Sequence, residues 1–421
     1  MRRTWMPCVA VVAWLMMAAT AWSDGLFLDG VSPRSLSRGG TNQGYADNGA
    51  ILFDNPAAMS NVEGDGLFEA DLVGLQTNFR YTSAVKSAVS QGFTPLPQLS
   101  YIRRSADGDF AIGIGMFTPA GFSTNYNMNG NTFFPGTRSY DSFGTLTKIL
   151  PGISYKVTDR LSIGGTFGVG VSYASLNGPY FLQSAPLAGT PILLDIHGAG
   201  ATQVWSAGMQ YLLTEDTTIG CTYQSASNFN LHGTAQVNLP AALGGGISTY
   251  NSTVAISWPQ TVALGVRRKL CPHRTVSADV IWFDWAQSFK NLGVTLQNAS
   301  NVAFPPAINE TLPLNWASSV SMRLGYEQIL DVGGTFRIGY VYHPNPVPTG
   351  TLTPFLPATL TNTFTVGYGF GWKEWNVDVG WAHAFSAPQN IGTSQLVGGD
   401  FSNSTIRTQV DALFIGLIRP F

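Results

Sequence analysis

The chain has 421 residues, of which 44% are hydrophobic and only 11% are charged, and its formal net charge is −2. Soluble domains carry about 25% charged residues, and nucleic-acid-binding proteins are usually basic, so the composition argues against both classes. Beyond the N-terminus no stretch reaches the roughly 20 apolar residues of a membrane helix. A transmembrane β-barrel remains, because its hydrophobicity is hidden by alternation.

The N-terminus has the features of a secretory signal. Arg2 and Arg3 supply the positive start, residues 6–21 form an apolar core, and Ala-Trp-Ser before position 24 fits a small-x-small cleavage site. We predict a signal peptide over residues 1–23, so the mature chain should start outside the cytoplasm.

Residues 24–61 do not match a strand pattern. Glycine and alanine alternate there with charged residues, so this segment has too little apolar surface to fold alone. We predict that it is a hatch, here called the plug, which is held inside a structure supplied by residues 62–421.

From residue 66 onward the dominant pattern has a period of two. In residues 162–173, for example, Phe167, Val169 and Val171 alternate with glycine, serine and threonine. Each set occupies one face of a sheet, and a membrane barrel turns the bulky face toward lipid. About fourteen such segments occur, near 66–82, 94–104, 109–118, 140–156, 160–176, 201–213, 216–230, 254–269, 273–285, 314–326, 331–343, 361–372, 375–386 and 408–421.

The connections between these segments distinguish a barrel from a soluble sandwich. Tight turns alternate with long connections. The long connections lie at 119–139, 177–200, 231–253, 286–313, 344–360 and 387–407. Long extracellular loops and short periplasmic turns are typical of outer-membrane barrels, and an even strand number leaves both termini in the periplasm. We therefore predict an all-β fold, a transmembrane antiparallel barrel of about fourteen strands with the N-terminal hatch plugging its lumen.

Aromatic residues mark the predicted strand ends. We expect interfacial girdles rather than mere β-propensity for seven tryptophans, namely Trp258, Trp282, Trp285, Trp316, Trp372, Trp375 and Trp381. The terminal Phe421 resembles the signal by which outer-membrane barrels are recognised by their assembly machinery.

Several short motifs occur in a characteristic order. The plug contains Ser-Leu-Ser-Arg-Gly-Gly at 35–40, Ala-Asp at 46–47 and Asn-Pro-Ala at 55–57, and the barrel contains related segments at 95–101, 259–266, 279–285 and 337–357. This set resembles the FadL-type long-chain fatty acid and hydrocarbon transporters. The resemblance implies a channel for passive uptake of hydrophobic compounds in the outer membrane of a Gram-negative bacterium, surrounded by outer-membrane lipids. We expect a monomer.

The third predicted strand ends in Pro119-Ala-Gly121-Phe122. Proline removes a ladder donor and glycine loosens a strand, so Gly121 is a candidate for a kink that leaves a gap in the wall. The resemblance implies sideways release of substrate through such a gap. The alternative is a simple strand end.

The triplet Asn55, Pro56 and Ala57 should lie against the wall near that bend, where the Asn55 amide could satisfy unpaired backbone groups. We expect an entering substrate to displace residues 25–28 and, through the triplet, to open the side path. In the alternative, the plug is fixed.

Enzyme motifs are absent from the sequence, and no spacing suggests a metal or cofactor site. An outer-membrane lipase would need a histidine and a serine on one face, and His343, His383 and Ser386 offer only sequence proximity. After removal of the signal, Cys221 and Cys271 could pair in the periplasm, but nothing local requires it. We predict a non-enzyme without cofactor.

Apolar clusters within the long connections suggest a substrate-binding groove. The candidates are Phe122, Phe133 and Phe134 in 119–139 and Phe181 and Leu182 in 177–200. Alternatively, these side chains pack on each other as a lid.

Two inward-phased arginines, Arg323 and Arg337, could bind a substrate carboxylate. The alternative is pairing with lumen acids and with plug residues such as Asp47 and Asp54. Competing functions for the whole chain are a general porin and a surface adhesin or phage receptor.

Overall fold

The structure, a computed structural model, describes residues 25–421. The described chain forms a closed antiparallel barrel of fourteen strands, five of which are interrupted, so that there are nineteen segments in one sheet. The segments are β1 Gly66–Ser83, β2 Ser87–Arg104, β3 Phe110–Asn129, β4 Thr137–Lys156, β5 Leu161–Phe181, β6 Pro191–Thr214, β7 Thr217–Gln224, β8 Ser227–Asn238, β9 Ile247–Trp258, β10 Thr261–Cys271, β11 Arg274–Phe283, β12 Asn291–Gln297, β13 Ala307–Pro313, β14 Ser319–Ile329, β15 Thr335–Tyr342, β16 Asn362–Trp372, β17 Trp375–Phe385, β18 Gln389–Ile391 and β19 Ser404–Pro420. The interrupted strands are β7–β8, β9–β10, β11–β12, β13–β14 and β17–β18.

The helical elements are short. They are α1 Pro33–Ser37, α2 Ile51–Asp54 and α3 Trp285–Ser288, with 3₁₀ turns at Pro56–Asn61 and Ala241–Leu243. No helix within residues 25–421 has the length and apolar character that crossing a membrane requires.

The barrel closes where β1 pairs with β19, from Leu67 opposite Pro420 to Ser83 opposite Ser404. The Phe421 backbone oxygen accepts hydrogen bonds from the Asp65 and Gly66 N–H groups, at 2.7 and 3.1 Å. The C-terminus is therefore held at the same end of the barrel as the start of β1.

The predicted fourteen-strand barrel is confirmed, and its alternation follows from the solvent on each side. On β5, Phe167, Val169 and Val171 point outward and are exposed, whereas Thr166 and Ser172 point inward and are buried. Lipid accepts the apolar outer face, and the polar inner face has protein groups to bind.

The strands are longer than the sequence pattern indicates, so several predicted long loops are wrong. The predicted connection 119–139 is mostly strand, because β3 runs to Asn129 and β4 begins at Thr137. Likewise β6 has 24 residues, although a membrane strand needs only about 9–11. The extracellular part of the barrel thus rises well above the membrane.

The physical reason is a reversal of phase along the strands. On β8, His232 and Gln236 point outward, whereas Leu231 and Val237 are buried inside. Outside the membrane the outer face of a strand is in contact with water, so its apolar residues turn inward. A prediction based on outward apolar residues therefore ends each strand at the membrane surface.

Residues 25–62 lie in the lumen and are largely buried. Helix α1 begins at Pro33 after the cap residue Ser32, whose hydroxyl also donates to the inward-facing Glu69 at 2.6 Å. The backbone N–H groups of Asn42 and Gln43 donate to Asp279, at 2.7 and 3.1 Å. Because the plug has little core of its own, its backbone polar groups are satisfied by the wall. The signal peptide predicted over 1–23 lies outside the described residues.

The expected tryptophan girdle is wrong for three of its seven members. Trp258, Trp285 and Trp316 are at most 3% exposed and pack inside the barrel. Trp372 and Trp381 are exposed on the outer face, as a girdle requires. The inner three follow the phase reversal, which alternation alone does not reveal.

Candidate functional site

An apolar cavity, here called the upper cavity, lies within the extracellular part of the barrel. Its volume is about 140 Å³, and it is lined mainly by inward side chains of β5, β6, β9, β12 and β13 and by residues of 347–356 and 396–401. They include Phe181, Leu182, Ile192, Ile256 and Trp316. Its walls are the apolar faces created by the phase reversal.

The charged side chains among the described residues that line the upper cavity are Glu310 and Asp400. Glu310 accepts hydrogen bonds from the Tyr180 hydroxyl at 2.8 Å and from the Gln183 and Ser184 N–H groups at 2.6 and 3.2 Å. Burial and the Glu310 carboxylate both raise the pKa of Tyr180. Glu310 therefore fixes the loop after β5 and is satisfied by protein groups.

A second cavity, here called the lower cavity, lies between the plug and the wall. Its volume is about 170 Å³, and it is lined by residues 25–29 of the plug and by side chains of β1, β2, β3, β4, β16, β17 and β19. Phe122 lines both cavities. Since an apolar cavity of about 150 Å³ holds benzene, each is large enough for an aromatic ring.

The wall beside the lower cavity contains a gap. Strands β2 and β3 pair only from Leu99 opposite Met116 to Arg104 opposite Ala111. Beyond that level β2 pairs with β1 and β3 pairs with β4. At the outer end of the gap the Asn125 N–H donates to Ser90 Oγ at 2.7 Å.

The sequence explains why pairing stops there. The β3–β4 register shifts between Phe117 and Ala120, where Pro119 has no N–H to donate. On β2, Pro95 and Pro97 are two residues apart and remove two donors from one edge. Neither edge can therefore complete a regular ladder.

The start of the described chain covers the inner side of this gap. The Leu28 N–H donates to Pro119 O at 2.8 Å, and the Gly121 N–H donates to Leu26 O at 3.1 Å. Between them, Phe27 forms a β-bridge with Ala120. The backbone groups freed by the irregular strand are thus satisfied by residues 26–28.

Toward the periplasm, an ion-pair network fills the lumen. Its pairs are Arg34–Asp378 at 2.8 Å, Arg38–Asp47 at 2.8 Å, Arg38–Glu327 at 3.4 Å, Arg337–Glu327 at 2.7 Å and Arg337–Asp378 at 2.5 Å. Although burial alone would raise it, the Arg38 guanidinium holds the pKa of Asp47 well below its usual range. An apolar solute has no favourable route through these charges.

The structure brings only some of the predicted substrate-binding residues together. Phe122, Phe181 and Leu182 line cavities. Phe133 is 40% exposed in the loop after β3 and touches the Phe181 ring, with centroids 6.0 Å apart. Phe134 is buried in the same loop but is not among the described lining residues of either cavity.

Neither predicted arginine is among the described lining residues. Arg337 binds Glu327 and Asp378, and Arg323 donates to the backbone oxygens of Asp29 and Gly40. Structural pairing with lumen acids and plug groups, rather than substrate contact, therefore accounts for their positions. That either arginine binds a substrate carboxylate stays a prediction.

The triplet 55–57 lies away from the third-strand irregularity, contrary to expectation. Asn55 Nδ2 donates to Met209 O on β6 at 3.1 Å and to Gln43 O at 3.0 Å. A Cβ at Gly164 on β5 would lie 2.6 Å from the Pro56 carbonyl carbon. The triplet thus anchors the plug to the wall at β5 and β6. Gly121 follows the irregularity and pairs regularly with Thr145.

Two polar residues line the lower cavity together, Asp29 and His343, and the sequence did not indicate this pairing. Their separation of more than 300 positions gives no motif, and only barrel closure places them together. Among residues 25–421, no cluster of His, Cys, Asp and Glu could hold a metal ion, and both Cys221 and Cys271 are free.

Comparison with known proteins gives consistent similarities. Residues 14–418 match the family model described as outer membrane protein transport protein (OMPP1/FadL/TodX). A long-chain fatty acid transport protein of Escherichia coli O6:H1 is 22% identical in an alignment of 411 positions that covers 88% of this chain and 88% of that one. A Pseudomonas aeruginosa FadL homologue superposes with a TM-score of 0.79 at 13% identity over 94% of this chain and 100% of that one. The Ralstonia pickettii toluene transporter TbuX gives 0.72 at 20% over 94% and 99%.

Proposed function

The chain belongs to the OMPP1/FadL/TodX family of outer-membrane transport proteins, which are channels and not enzymes, and from this premise we propose a passive uptake route for hydrophobic compounds. The substrate enters the upper cavity, passes Phe122 into the lower cavity and leaves sideways between β2 and β3. The observation that carries the proposal is that the apolar path ends at the gap, whereas the lumen below it is filled with ion pairs.

The described lining residues favour hydrocarbons over ionised fatty acids. The names of the relatives include both a long-chain fatty acid transport protein and a toluene transporter. However, neither cavity has a lysine or arginine among its described lining residues. A buried carboxylate without a cationic partner is costly. Neutral apolar molecules therefore fit the route best.

In the proposed release step, residues 26–28 move. They complete the backbone pairing at Pro119 and Gly121 and also line the lower cavity, so a ligand there competes with them for space. We keep residues 24–61 as the plug and residues 62–421 as the barrel, and we propose that Phe421 binds the assembly machinery and that the protein acts as a monomer.

Uptake by a deletion strain complemented with variants tests the route. Ala120 is 2% exposed and lies at the gap, so Ala120→Phe should obstruct the lower cavity and lower uptake of limiting radiolabelled toluene severalfold. Ala201→Phe, at an exposed outward position, is the matched control. Outer-membrane abundance is measured for both, and normal uptake by a correctly folded Ala120→Phe variant would contradict the route.

A further inference from the structure

One end of the lower cavity is polar although most of its wall is apolar. Asp29 Oδ1 lies 3.3 Å from His343 Nε2, with side chains only 11% and 6% exposed. Thr363 lines the cavity beside the same carboxylate. Apart from the contacts of His343 and Thr363 with the carboxylate, Asp29 Oδ1 has no hydrogen-bond partner among the described residues.

The position of Asp29 is fixed on two sides. Arg323 Nη1 donates to the Asp29 backbone oxygen, and the preceding Leu28 N–H donates to Pro119 O. Although burial alone would raise it, His343 and Arg323 lower the pKa of Asp29. While residues 26–28 are seated, the carboxylate is therefore a fixed, ionised acceptor that can accept about four hydrogen bonds.

We propose that Asp29 and His343 form a binding site for the hydroxyl group of a neutral amphiphile, such as a phenol or an alcohol, whose apolar body fills the lower cavity. The ligand O–H donates to the Asp29 carboxylate, and Leu75, Leu96 and Phe122 contact its ring or chain. The proposal rests on the uptake route and names a ligand class within it.

Three properties of the site set the order of ligand affinity. A hydrogen bond to a buried charged acceptor makes a hydroxylated ligand on the order of tenfold tighter than the matched hydrocarbon. A hydrocarbon has no O–H group and therefore donates no hydrogen bond to the Asp29 carboxylate. A ligand carboxylate is repelled by Asp29 and is buried without a lysine or arginine in the described lining.

The test uses toluene, p-cresol and p-toluate, which share one ring and one methyl group. Their dissociation constants are measured by titration of the purified full-length protein in one detergent, for the wild type, Asp29→Asn and the control Asp411→Asn. Asp411 also pairs with a histidine, since its Oδ1 lies 2.9 Å from His383 Nδ1, but neither residue is among the described lining residues of the two cavities. A given ligand partitions into the detergent micelles to the same extent whichever variant is present. The ratio of its dissociation constants for two variants is therefore independent of this partitioning.

We expect the wild type to bind p-cresol most tightly and p-toluate least. The amide introduced by Asp29→Asn would still accept a hydrogen bond but without the charge, so this variant should weaken p-cresol severalfold and strengthen p-toluate. These opposite shifts would not arise from a loosened plug, which weakens all three ligands together. Asp411→Asn should keep the wild-type order.

Two results lead to different conclusions. If toluene binds the wild type and the p-cresol preference is unchanged in Asp29→Asn, the pair is only a tether of the plug and the inference is overturned while the uptake route stands. If the folded wild type binds none of the three ligands, the proposed function itself fails and the inference fails with it.

Discussion

Single residues in the lumen hold the plug in place, and Asp378 is an acid that binds two arginines. It accepts from Arg34 at 2.8 Å and from Arg337 at 2.5 Å, and its side chain is 1% exposed. Among the described residues Asp378 is the carboxylate partner of Arg34, and Arg337 shares it with Glu327, so the network should respond strongly to its loss.

We expect Asp378→Asn to lower the free energy of unfolding by about 3–5 kcal/mol, because a buried ion pair that loses one partner leaves an uncompensated charge. Urea unfolding of the refolded barrel measures the change. The control is Asp411→Asn. The Asp411 side chain, which pairs with His383, is 44% exposed, so this substitution should cost below about 1 kcal/mol. Equal effects of the two variants would contradict the assignment.

Asn55 gives a second prediction at this scale. Asn55→Ala removes two hydrogen bonds to backbone oxygens and should cost about 1–3 kcal/mol. Because the triplet lies against β5 and β6 and not at the gap, uptake should change little at equal abundance. A severalfold loss of uptake with unchanged stability would restore a gating role for Asn55.

Among the elements, β2 and β3 share a ladder of only six residue pairs although they have 18 and 20 residues. The sequence located the irregularity through Pro119, because proline has a local effect on a strand, whereas the candidate kink residue Gly121 pairs regularly. It did not show that residues 26–28 complete the pairing or that Trp285 points inward. Both depend on register across the closed barrel, which local periodicity does not encode.

Hydrogen exchange should reveal this difference between elements. Apart from Gly121 and Asn125, whose N–H groups donate to Leu26 O and Ser90 Oγ, the amides in 87–97 and 118–129 that point into the gap lack a ladder partner. Peptides from these ranges should therefore exchange faster than those from β5, which pairs with β4 and with β6. Mass spectrometry in detergent gives the comparison. Equal protection of β2, β3 and β5 would indicate a continuous wall in solution.

The whole molecule combines a barrel, predictable because lipid imposes alternation, with a plug whose electrostatics depend on tertiary contacts. Asp54, in α2, illustrates the second part. Its Oδ2 accepts from Asn42 Nδ2 at 2.7 Å, and burial raises its pKa from 3.8 to about 7. No neighbouring residue in the sequence indicates this shift.

This shift predicts how the plug responds to pH. Asp54 keeps its proton up to about pH 7 in the seated plug but loses it near pH 3.8 in the released plug. The stabilisation of the seated plug by this group is therefore complete below pH 3.8. It decreases by about 1.4 kcal/mol per pH unit and is lost as the pH rises through about 7. Planar-bilayer conductance should therefore be low at pH 5 and show more frequent openings at pH 8.

The Asp54→Asn variant separates this group from the other acids of the lumen. The amide is neutral at every pH and can still accept from Asn42, so the variant should keep low conductance from pH 5 to pH 8. A wild-type channel with steady conductance at pH 5 would indicate an open pore instead of a plugged one. If the wild type and the variant open equally as the pH rises, another buried acid controls the seating of the plug.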